Sequence, residues 1–262
     1  MSIVTFYVSA HQDDWQLFRG EQAFVDLNTP DARIVFIYTT AGDDGRTDGW
    51  LEAREQGAIA SIKHAIGSQD LSISTSIEKI NGHPITTYSY GNTISYCLRL
   101  PDGMPNGSTP QSLKALHDGS ISSSTAVDSS TSYDGWDDFC TTLEVIVRQE
   151  TAASSSPHPW INASDYDALL TLGDHSDHLL TATALRRFAD SFCSRAWWVS
   201  YDSMNRPVNL TDEACEHKKA LFFAYANRVY ELMPNNPPMQ KEWDWWGARS
   251  YCRLVPFGQP DS

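Results

Sequence analysis

Two short apolar runs near the start of the chain have the composition of strands that are buried on both faces. Residues 3–8 and 32–38 are mostly β-branched or aromatic, with little polar alternation, as in the central strands of a parallel sheet. The pattern predicts a helix between them, over 15–27, which ends before Asn28-Thr29-Pro30. A second helix is predicted over 49–66. Strands and helices alternate, which predicts an α/β fold with a mostly parallel sheet flanked by helices.

The rest of the chain continues this alternation with one long interruption. Further strands are predicted over residues 71–77, 85–90, 96–100, 167–172, 197–201 and about 251–255, and further helices over 136–150, from 176 onward and over about 213–233. Residues 101–135 are rich in polar and turn-forming side chains, which predicts a loop-rich surface insertion. Its Ser-rich part, residues 119–135, is either a lid over a cleft or an inert connector. At 262 residues, the chain is expected to form one domain that carries this insertion.

The charge of the chain excludes two kinds of partner. The formal net charge is −14 at pH 7, so the chain offers no basic surface for nucleic acid or for anionic lipid. The apolar run over 3–10 has no basic region before it, and no apolar run is long enough to span a bilayer. We therefore expect a cytoplasmic protein that binds neither nucleic acid nor membranes. The oligomeric state stays open, a homo-oligomer included.

The cysteines are scattered along the chain and form no CxxC pair. Their odd number and their spacing argue against a disulfide framework and against a thiolate zinc site. We expect buried free thiols at Cys97, Cys140, Cys193, Cys215 and Cys252.

Histidine and aspartate side chains follow two of the predicted strands. The sequence His11-Gln12-Asp13-Asp14 comes directly after the first strand, and His175-Ser176-Asp177-His178 stands between the strand predicted over 167–172 and the next helix. In open α/β sheets, ligands bind outside the carboxyl ends of the parallel strands. Both turns are therefore expected to face one cleft.

These residue types suit a hydrolytic metal site. Catalytic zinc commonly takes three ligands from histidine and carboxylate side chains and keeps a position open for water. His11, Asp14 and His178 meet that need. Because the metal lowers the pKa of water and a nearby carboxylate can accept its proton, Asp13 is the predicted general base.

The remaining residues of the second turn predict how negative charge is stabilised. A positioned imidazole can stabilise the oxyanion that develops on a carbonyl oxygen, and His175 is the candidate. Asp177 is expected to hold the tautomer of His175 by accepting its ring N–H.

At these residues the sequence resembles the LmbE-like, or PIG-L-type, zinc-dependent N-deacetylases. The first motif of that family usually reads AHPDDE and the second HxDH; here they read AHQDDW, ending at Trp15, and HSDH, ending at His178. Landmarks in family order stand between them, at residues 41–45 (AGDDG), 54–58 (REQGA) and 98–103 (LRLPDG). The resemblance extends over residues 3–195.

The resemblance implies a Rossmann-like α/β fold and the hydrolysis of an N-acetyl group, typically on an amino sugar or glycoconjugate. It implies one Zn²⁺ per chain on the three ligands named above, with Asp13 as general base and His175 on the oxyanion side. It also implies that Arg54 and Asp102 occupy substrate-contact positions.

Two positions depart from the family motif. Gln12 replaces the proline, which adds an N–H group and loosens φ, so the rigidity of the turn must come from elsewhere. Trp15 replaces the glutamate and either packs against the sheet or lines the cleft. Together with residues 101–135, Trp15 is expected at the rim, where it would set the tolerance for the aglycone.

Three other classes of function remain open. His175-x-Asp177 with a distant histidine could form the triad of an Fe(II) oxygenase, but HxD triads usually lie on a jelly roll, whereas this chain alternates strand and helix. A hydratase of the same superfamily would use the same metal site on an unsaturated acid. A non-catalytic glycan-binding protein is expected only where catalytic groups are lost, and here they are intact.

Together with the two motif turns, the resemblance implies a metal-dependent hydrolase that removes an N-acetyl group from the amino-sugar moiety of a small glycoconjugate or secondary metabolite. Zinc is the expected metal, with other divalent ions as alternatives. Among the substrates that the resemblance implies, the acidic surface disfavours polyanionic acceptors and the missing membrane segment disfavours a lipid-linked sugar, so a neutral, water-soluble N-acetylglucosamine conjugate is the expected substrate.

Overall fold

A computed structural model describes residues 3–68, 70–167 and 169–261 of the chain. The strands are β1 (Ile3–Ser9), β2 (Ala32–Thr40), β3 (Ser74–Ile80), β4 (His83–Tyr90), β5 (Thr93–Leu100), β6 (Ser124–Thr125), β7 (Ser132–Tyr133), β8 (Trp160–Ser164), β9 (Ser194–Trp198) and β10 (Cys252–Val255). The helices are α1 (Asp14–Leu27), α2 (Trp50–Ile66), α3 (Leu113–His117), α4 (Trp136–Ala152), α5 (Ser176–Arg186), α6 (Asp212–Leu232) and α7 (Gln240–Glu242). A π-helical turn, Trp243–Gly247, follows α7, and 3-10 turns lie at Ala189–Ser191 and Tyr201–Asn205.

One large sheet organises these elements, in the order β10-β9-β8-β1-β2-β5-β4-β3. The strands from β9 to β5 run parallel, while β10 extends one edge and β4 with β3 the other in antiparallel pairing. The predicted α/β class and mostly parallel sheet are confirmed. The strand order reverses between β1 and β8, and ligands of open sheets bind outside the carboxyl ends of the strands at such a reversal.

Both faces of the sheet are covered, which explains the nearly continuous apolar runs. Val4, Phe6 and Val8 of β1 pack on the face that carries α4 and α5. Tyr7 points to the opposite face, where it stacks on Phe36 beneath α1, α2 and α6. A strand buried in this way has no solvent side that would require polar residues.

The strand predicted over 167–172 is wrong. Its position 168 lies outside the described residues, and Leu169 and Leu172 are 81% and 69% exposed. The described residues on either side of position 168 form turns: the N–H of Leu170 and the hydroxyl of Thr171 both donate to the carbonyl of Asp167. The strand at this place in the sheet is β8, which begins at Trp160 directly after a proline-containing loop. β8 pairs with β1 on one side and with β9 on the other, whereas Leu169 and Leu172 come after the strand and are exposed.

Three other predicted segments differ from the expectation in their bounds or in how ordered they are. The strand expected over 71–77 begins at Ser74, and the helix from 176 ends at Arg186. The insertion contains α3 and the β6–β7 hairpin, and it is not a purely surface feature, because Leu113, Leu116 and Tyr133 are buried. These three side chains join the core on the α4–α5 face.

The cysteines are free thiols, three of them buried and two half-buried. Within the described residues, no helix combines the length and the apolar character that a membrane crossing requires.

Candidate metal centre and active-site cavity

The two motif turns meet at the carboxyl ends of β1 and β8. His11 and Asp14 lie between β1 and the first turn of α1, and His178 lies in the first turn of α5. His178 Nε2 is 3.3 Å from His11 Nδ1 and 3.1 Å from Asp14 Oδ1. All three side chains are buried. The tertiary fold therefore brings together the three predicted ligands, although 164 residues separate Asp14 from His178.

Side-chain hydrogen bonds give the first turn its rigidity. Asp14 Oδ2 accepts the backbone N–H of His11 at 2.8 Å. Gln12, which is fully buried, donates from Nε2 to the carbonyl of Thr40 at 3.2 Å. The amide of Gln12 thus anchors the turn to the end of β2, and this contact replaces the φ restriction that a proline would impose.

The second turn is organised by His175, which caps α5. His175 Nδ1 accepts the backbone N–H of Asp177 at 3.2 Å. In the neutral imidazole the proton is then on Nε2, which lies 3.5 Å from Asp102 Oδ1. The expected hydrogen bond from the ring N–H of His175 to the Asp177 carboxylate is not formed: Asp177 Oδ2 lies 3.7 Å from Nδ1, which accepts the backbone N–H of Asp177 instead. Asp102 is the carboxylate that faces the N–H side of the ring.

Asp177 contacts a different histidine. Its Oδ2 accepts the backbone N–H of Gly103 at 2.8 Å and lies 3.6 Å from His11 Nε2. A Cβ atom at Gly103 would lie 2.5 Å from Asp177 Oδ1, so this approach requires a glycine. Asp177 therefore ties the loop after β5 to α5, beside the ring of His11.

Asp174 is a site residue that the sequence prediction missed. Its Oδ1 lies 2.7 Å from His178 Nδ1 and accepts the backbone N–H of His175 at 2.8 Å. A carboxylate on the far nitrogen of a metal-binding histidine fixes the tautomer and orients the ring. The sequence did contain a signal for this contact: Asp174 stands four residues before His178, a spacing that brings two side chains together at the start of a helix.

The buried carboxylates make this site strongly negative. Burial opposes the charged form of His11, but Asp14, Asp177 and Asp102 outweigh it and raise the pKa of His11 to about 10. The same balance, with Asp14 and Asp174 prevailing over burial, raises the pKa of His178. The two histidines lower the pKa of Asp14 well below its usual range against the opposing effect of burial. Such a field attracts a cation.

The donor atoms fit a divalent metal ion. Ligand atoms of His11, Asp14 and His178 all lie within 4.8 Å of one another, two imidazole nitrogens and one carboxylate oxygen. This set matches the ligands of catalytic zinc, and Asp174 supplies the outer carboxylate. A second group, His11 with Asp102, His175 and Asp177, meets the same distance limit. His11 Nε2, which faces this second group, is buried and has no hydrogen-bond partner within the described part of the chain.

Asp13 lies outside both of these groups and pairs with Arg54. The Arg54 guanidinium donates from Nη2 to Asp13 Oδ1, and its Nη1 and Nε donate to the carbonyl of Gly42 and the hydroxyl of Tyr225, each at 2.9 Å. Arg54 is thus held by the protein while it lines the cavity. Tyr225 was not among the predicted site residues.

A cavity of about 370 Å³ opens above the ligands. It is lined by His11, Asp13, Asp14, Leu17, Phe18, Asp44, Trp50, Arg54, Asp102, Met104, Pro105, His175, Tyr201, Glu242, Trp245 and Trp246. Arg54, Asp102 and His175 thus face the same space as Asp13. The lining also includes aromatic side chains from the C-terminal part of the chain, which the sequence did not assign to the site.

Trp15 is not at the rim. It is fully buried, and its Nε1 donates to the hydroxyl of Tyr38 at 3.0 Å. Its ring packs against Phe36 on the sheet, because α1 turns this position toward the core. Residues 119–135, all within the described ranges, contribute no side chain to the lining, so they do not act as a lid in this structure.

The landmark segments between the motifs tie the loops of the site together. Asp43 is buried and accepts the backbone N–H of Asp102 at 2.8 Å, whereas Asp44 is exposed and lines the cavity. Arg99 binds Glu55 through two hydrogen bonds of 2.7 Å. These contacts join the ends of β2 and β5 to α2.

The fold resembles that of several deacetylases of known structure. A deacetylase in complex with teicoplanin, from the biosynthesis pathway of that compound, superposes with a TM-score of 0.53 at 12% identity, over 99% of this chain and 100% of that chain. A complex of a deacetylase from the same pathway with bog gives 0.52 at 13% identity, covering 92% and 90%. The N,N'-diacetylchitobiose deacetylase of Pyrococcus horikoshii gives 0.50 at 14% identity, covering 99% and 87%.

The chain shares the fold of these deacetylases. At this level of identity, the likeness establishes the α/β architecture and leaves the reaction to be argued from the site. No protein-family model matches the chain, and no curated protein matches it.

Proposed function

We propose that the protein is a metal-dependent deacetylase that hydrolyses the N-acetyl group of an amino sugar within a small conjugate. The observation that carries this proposal is the convergence of His11, Asp14 and His178 at the strand-order reversal, beside a carboxylate that is not one of these ligands. The similar structures, which include deacetylases of a sugar disaccharide and of the teicoplanin pathway, support the same reaction class.

The residues around the ligands have the arrangement that amide hydrolysis needs. A bound zinc ion would supply Lewis acidity toward the acetamide carbonyl and would lower the pKa of water. Asp13 accepts a proton from the attacking water, and Arg54 keeps the Asp13 carboxylate oriented toward the cavity. As the C–N bond breaks, this proton passes to the amine nitrogen, so the products are acetic acid and the amine, which near pH 7 are present as acetate and the protonated amine.

His175 stabilises the negative charge on the carbonyl oxygen. Burial lowers the pKa of His175, against the opposing effect of Asp102, so the imidazole is neutral near pH 7 and donates from Nε2. Nδ1 is held by the helix cap, so the orientation of the ring is set before substrate binds.

The test is acetate release from N-acetylglucosamine conjugates by the metal-replete protein. We expect faster turnover of a conjugate than of free N-acetylglucosamine, since binding energy from the aglycone can be used at the reacting centre. Asp13→Asn, which keeps the three ligands, is the matched inactive control. Hydration of an unsaturated acid without acetate release from any conjugate would replace this proposal with the hydratase function.

A further inference from the structure

The cavity carries more negative charge than a divalent metal site uses. Five carboxylates line it, from Asp13, Asp14, Asp44, Asp102 and Glu242. Arg54 supplies the one guanidinium among the described lining residues, and His11 would be neutral as a metal ligand. A bound divalent ion and Arg54 together would neutralise three of the five charges, so two negative charges remain for the substrate to meet.

Of the carboxylates in the cavity, Glu242 is the one best placed to bind a positively charged group of the substrate. It is the last residue of α7 and lines the cavity, three positions before Trp245 in the chain. Its Oε2 is shielded from solvent and has no hydrogen-bond partner within the described residues. Glu242 is close enough to Asp13 and Arg54 to interact electrostatically with both, but Arg54 donates to Asp13. A shielded carboxylate oxygen without a donor is costly, and a charge-assisted hydrogen bond from a ligand would offset that cost.

The aromatic side chains of the wall are also suited to a cation. Trp245 is 43% exposed and lines the cavity, and its ring packs edge to face on Trp246. On the neighbouring wall, the guanidinium of Arg46 lies 4.4 Å from the ring centroid of Trp50. Exposed indole faces attract ammonium groups through the ring quadrupole. An apolar aglycone would gain from the rings but would leave the carboxylates unpaired.

We propose that the conjugate carries a protonated amine in its aglycone, and that Glu242, beside Trp245, receives it. The proposal rests on the deacetylase function proposed above and replaces the neutral acceptor predicted from the sequence. It names the chemical class of the aglycone: a primary or secondary ammonium within reach of the acetamide-bearing sugar.

Two matched glycosides test the charge of the aglycone. The 3-aminopropyl and 3-hydroxypropyl glycosides of N-acetylglucosamine differ by one terminal group, and the alkyl amine is protonated at neutral pH. We expect the wild-type protein to favour the aminopropyl glycoside by roughly 10- to 100-fold in kcat/KM, the range for a hydrogen bond between charged groups. The preference should fall as salt is added, because partly exposed charges are screened.

Two variants assign the preference to Glu242. Glu242→Gln keeps the shape of the side chain and removes its charge, so the ratio between the two glycosides should fall toward one. Asp244→Asn removes the same charge two residues away, where the side chain is exposed, accepts a hydrogen bond from Gln240 at 2.8 Å and does not line the cavity. This control should keep the wild-type ratio.

Binding measurements separate this inference from the deacetylase function. Dissociation constants of both glycosides come from tryptophan fluorescence of the metal-replete protein. Acetate release from both glycosides at equal kcat/KM would overturn the cationic aglycone and leave the deacetylase intact. Tighter binding of the aminopropyl glycoside without acetate release would keep the amine site and overturn the deacetylase. Equal binding without acetate release would overturn both.

Discussion

Asp174 Oδ1 lies 2.7 Å from His178 Nδ1, and both side chains are completely shielded from solvent. Asp174 stands two residues before α5 begins, and His178, four positions later, lies in its first turn. Because the carboxylate engages Nδ1, the lone pair of Nε2 is directed at Asp14 and His11. The pair therefore sets the tautomer and the direction of a predicted metal ligand before any ion binds.

Asp174→Asn is expected to weaken metal binding. The amide cannot supply the negative charge that favours Nδ1–H, and loss of such an outer contact commonly costs about 10- to 100-fold in metal affinity. Competition against a chromogenic chelator measures the affinity. Asp137→Asn, at an 86% exposed side chain on α4, is the control for a removed charge. Wild-type affinity in Asp174→Asn would show that the contact has no influence on the ion.

Asp13 and Asp14 are expected to have separate roles although they are adjacent. Asp14 faces His178, whereas Asp13 faces Arg54 and the cavity. Asp13→Asn should keep the metal and lose about 10²- to 10⁴-fold in kcat, the range of general-base catalysis. Asp14→Asn should lose the metal, as should His11→Ala and His178→Ala. Elemental analysis and acetate assays of the same preparations distinguish these results, and equal metal loss at both aspartates would contradict the division.

His175→Ala is expected to lower kcat while the metal content stays near that of the parent. Removal of one oxyanion-stabilising donor typically costs about 10²- to 10³-fold in kcat. The parallel measurement is the metal stoichiometry of the folded variant. Unchanged turnover in metal-replete His175→Ala would exclude this imidazole from the reaction.

Asp177→Asn is expected to act on the metal more than on His175. The Asp177 carboxylate lies beside His11 Nε2 and accepts the backbone N–H of Gly103. The sequence predicted that Asp177 orients His175, but His175 Nδ1 accepts a backbone N–H instead. A lower metal affinity with an unchanged kcat at saturating metal is the predicted result, from chelator competition and metal titration of the activity. Normal affinity together with a reduced kcat would restore the role predicted from the sequence.

Lys218 makes the stability of the protein depend on pH. Its ammonium is fully buried on α6 and donates to the carbonyl of Arg249. Burial, only partly opposed by Glu21, lowers the pKa of Lys218 from its ordinary 10.5 to about 8. Between these two values the unfolded chain binds a proton that the folded chain does not, so the free energy of unfolding rises with pH in that interval and is independent of this group below it.

The Lys218→Met variant should lack this rise. The wild-type protein should gain up to about 3 kcal/mol relative to the variant as the pH increases from about 8 to 10.5. Urea unfolding of both proteins at several pH values gives the difference, in which the tyrosine titrations common to both cancel. Parallel curves across this interval would show that Lys218 keeps an ordinary pKa in the fold.

Periodicity and local motifs predicted the parts of the protein that depend on neighbouring residues in the chain. The apolar runs that became β1 and β2 could be recognised because strands buried on both faces contain few polar residues. The ligand candidates His11, Asp14 and His178 could be selected because each turn follows a strand-like run or opens a helix. The same rule gave a wrong strand over 167–172, because Leu169 and Leu172 are apolar but lie exposed in the folded protein.

The contacts that surround and orient the predicted site residues could be found only in the tertiary structure. Trp15 was expected at the rim, but the direction of a helical side chain depends on how α1 packs on the sheet, and here it points to Phe36. The helix cap decides which nitrogen of His175 is free, and this fixes Asp102 rather than Asp177 as its neighbour.

The sequence by itself determined the alternation of strands and helices, the acidic charge and the residue types that can hold a metal ion, because these follow from the order and chemistry of adjacent residues. Only the tertiary structure decided that Asp174 orients His178, that Arg54 pairs with Asp13, and that Glu242 and Trp245 reach the cavity from the C-terminal segment. The physical reason is distance along the chain. Contacts between residues that lie far apart depend on strand order and helix packing, and no local pattern encodes either of them.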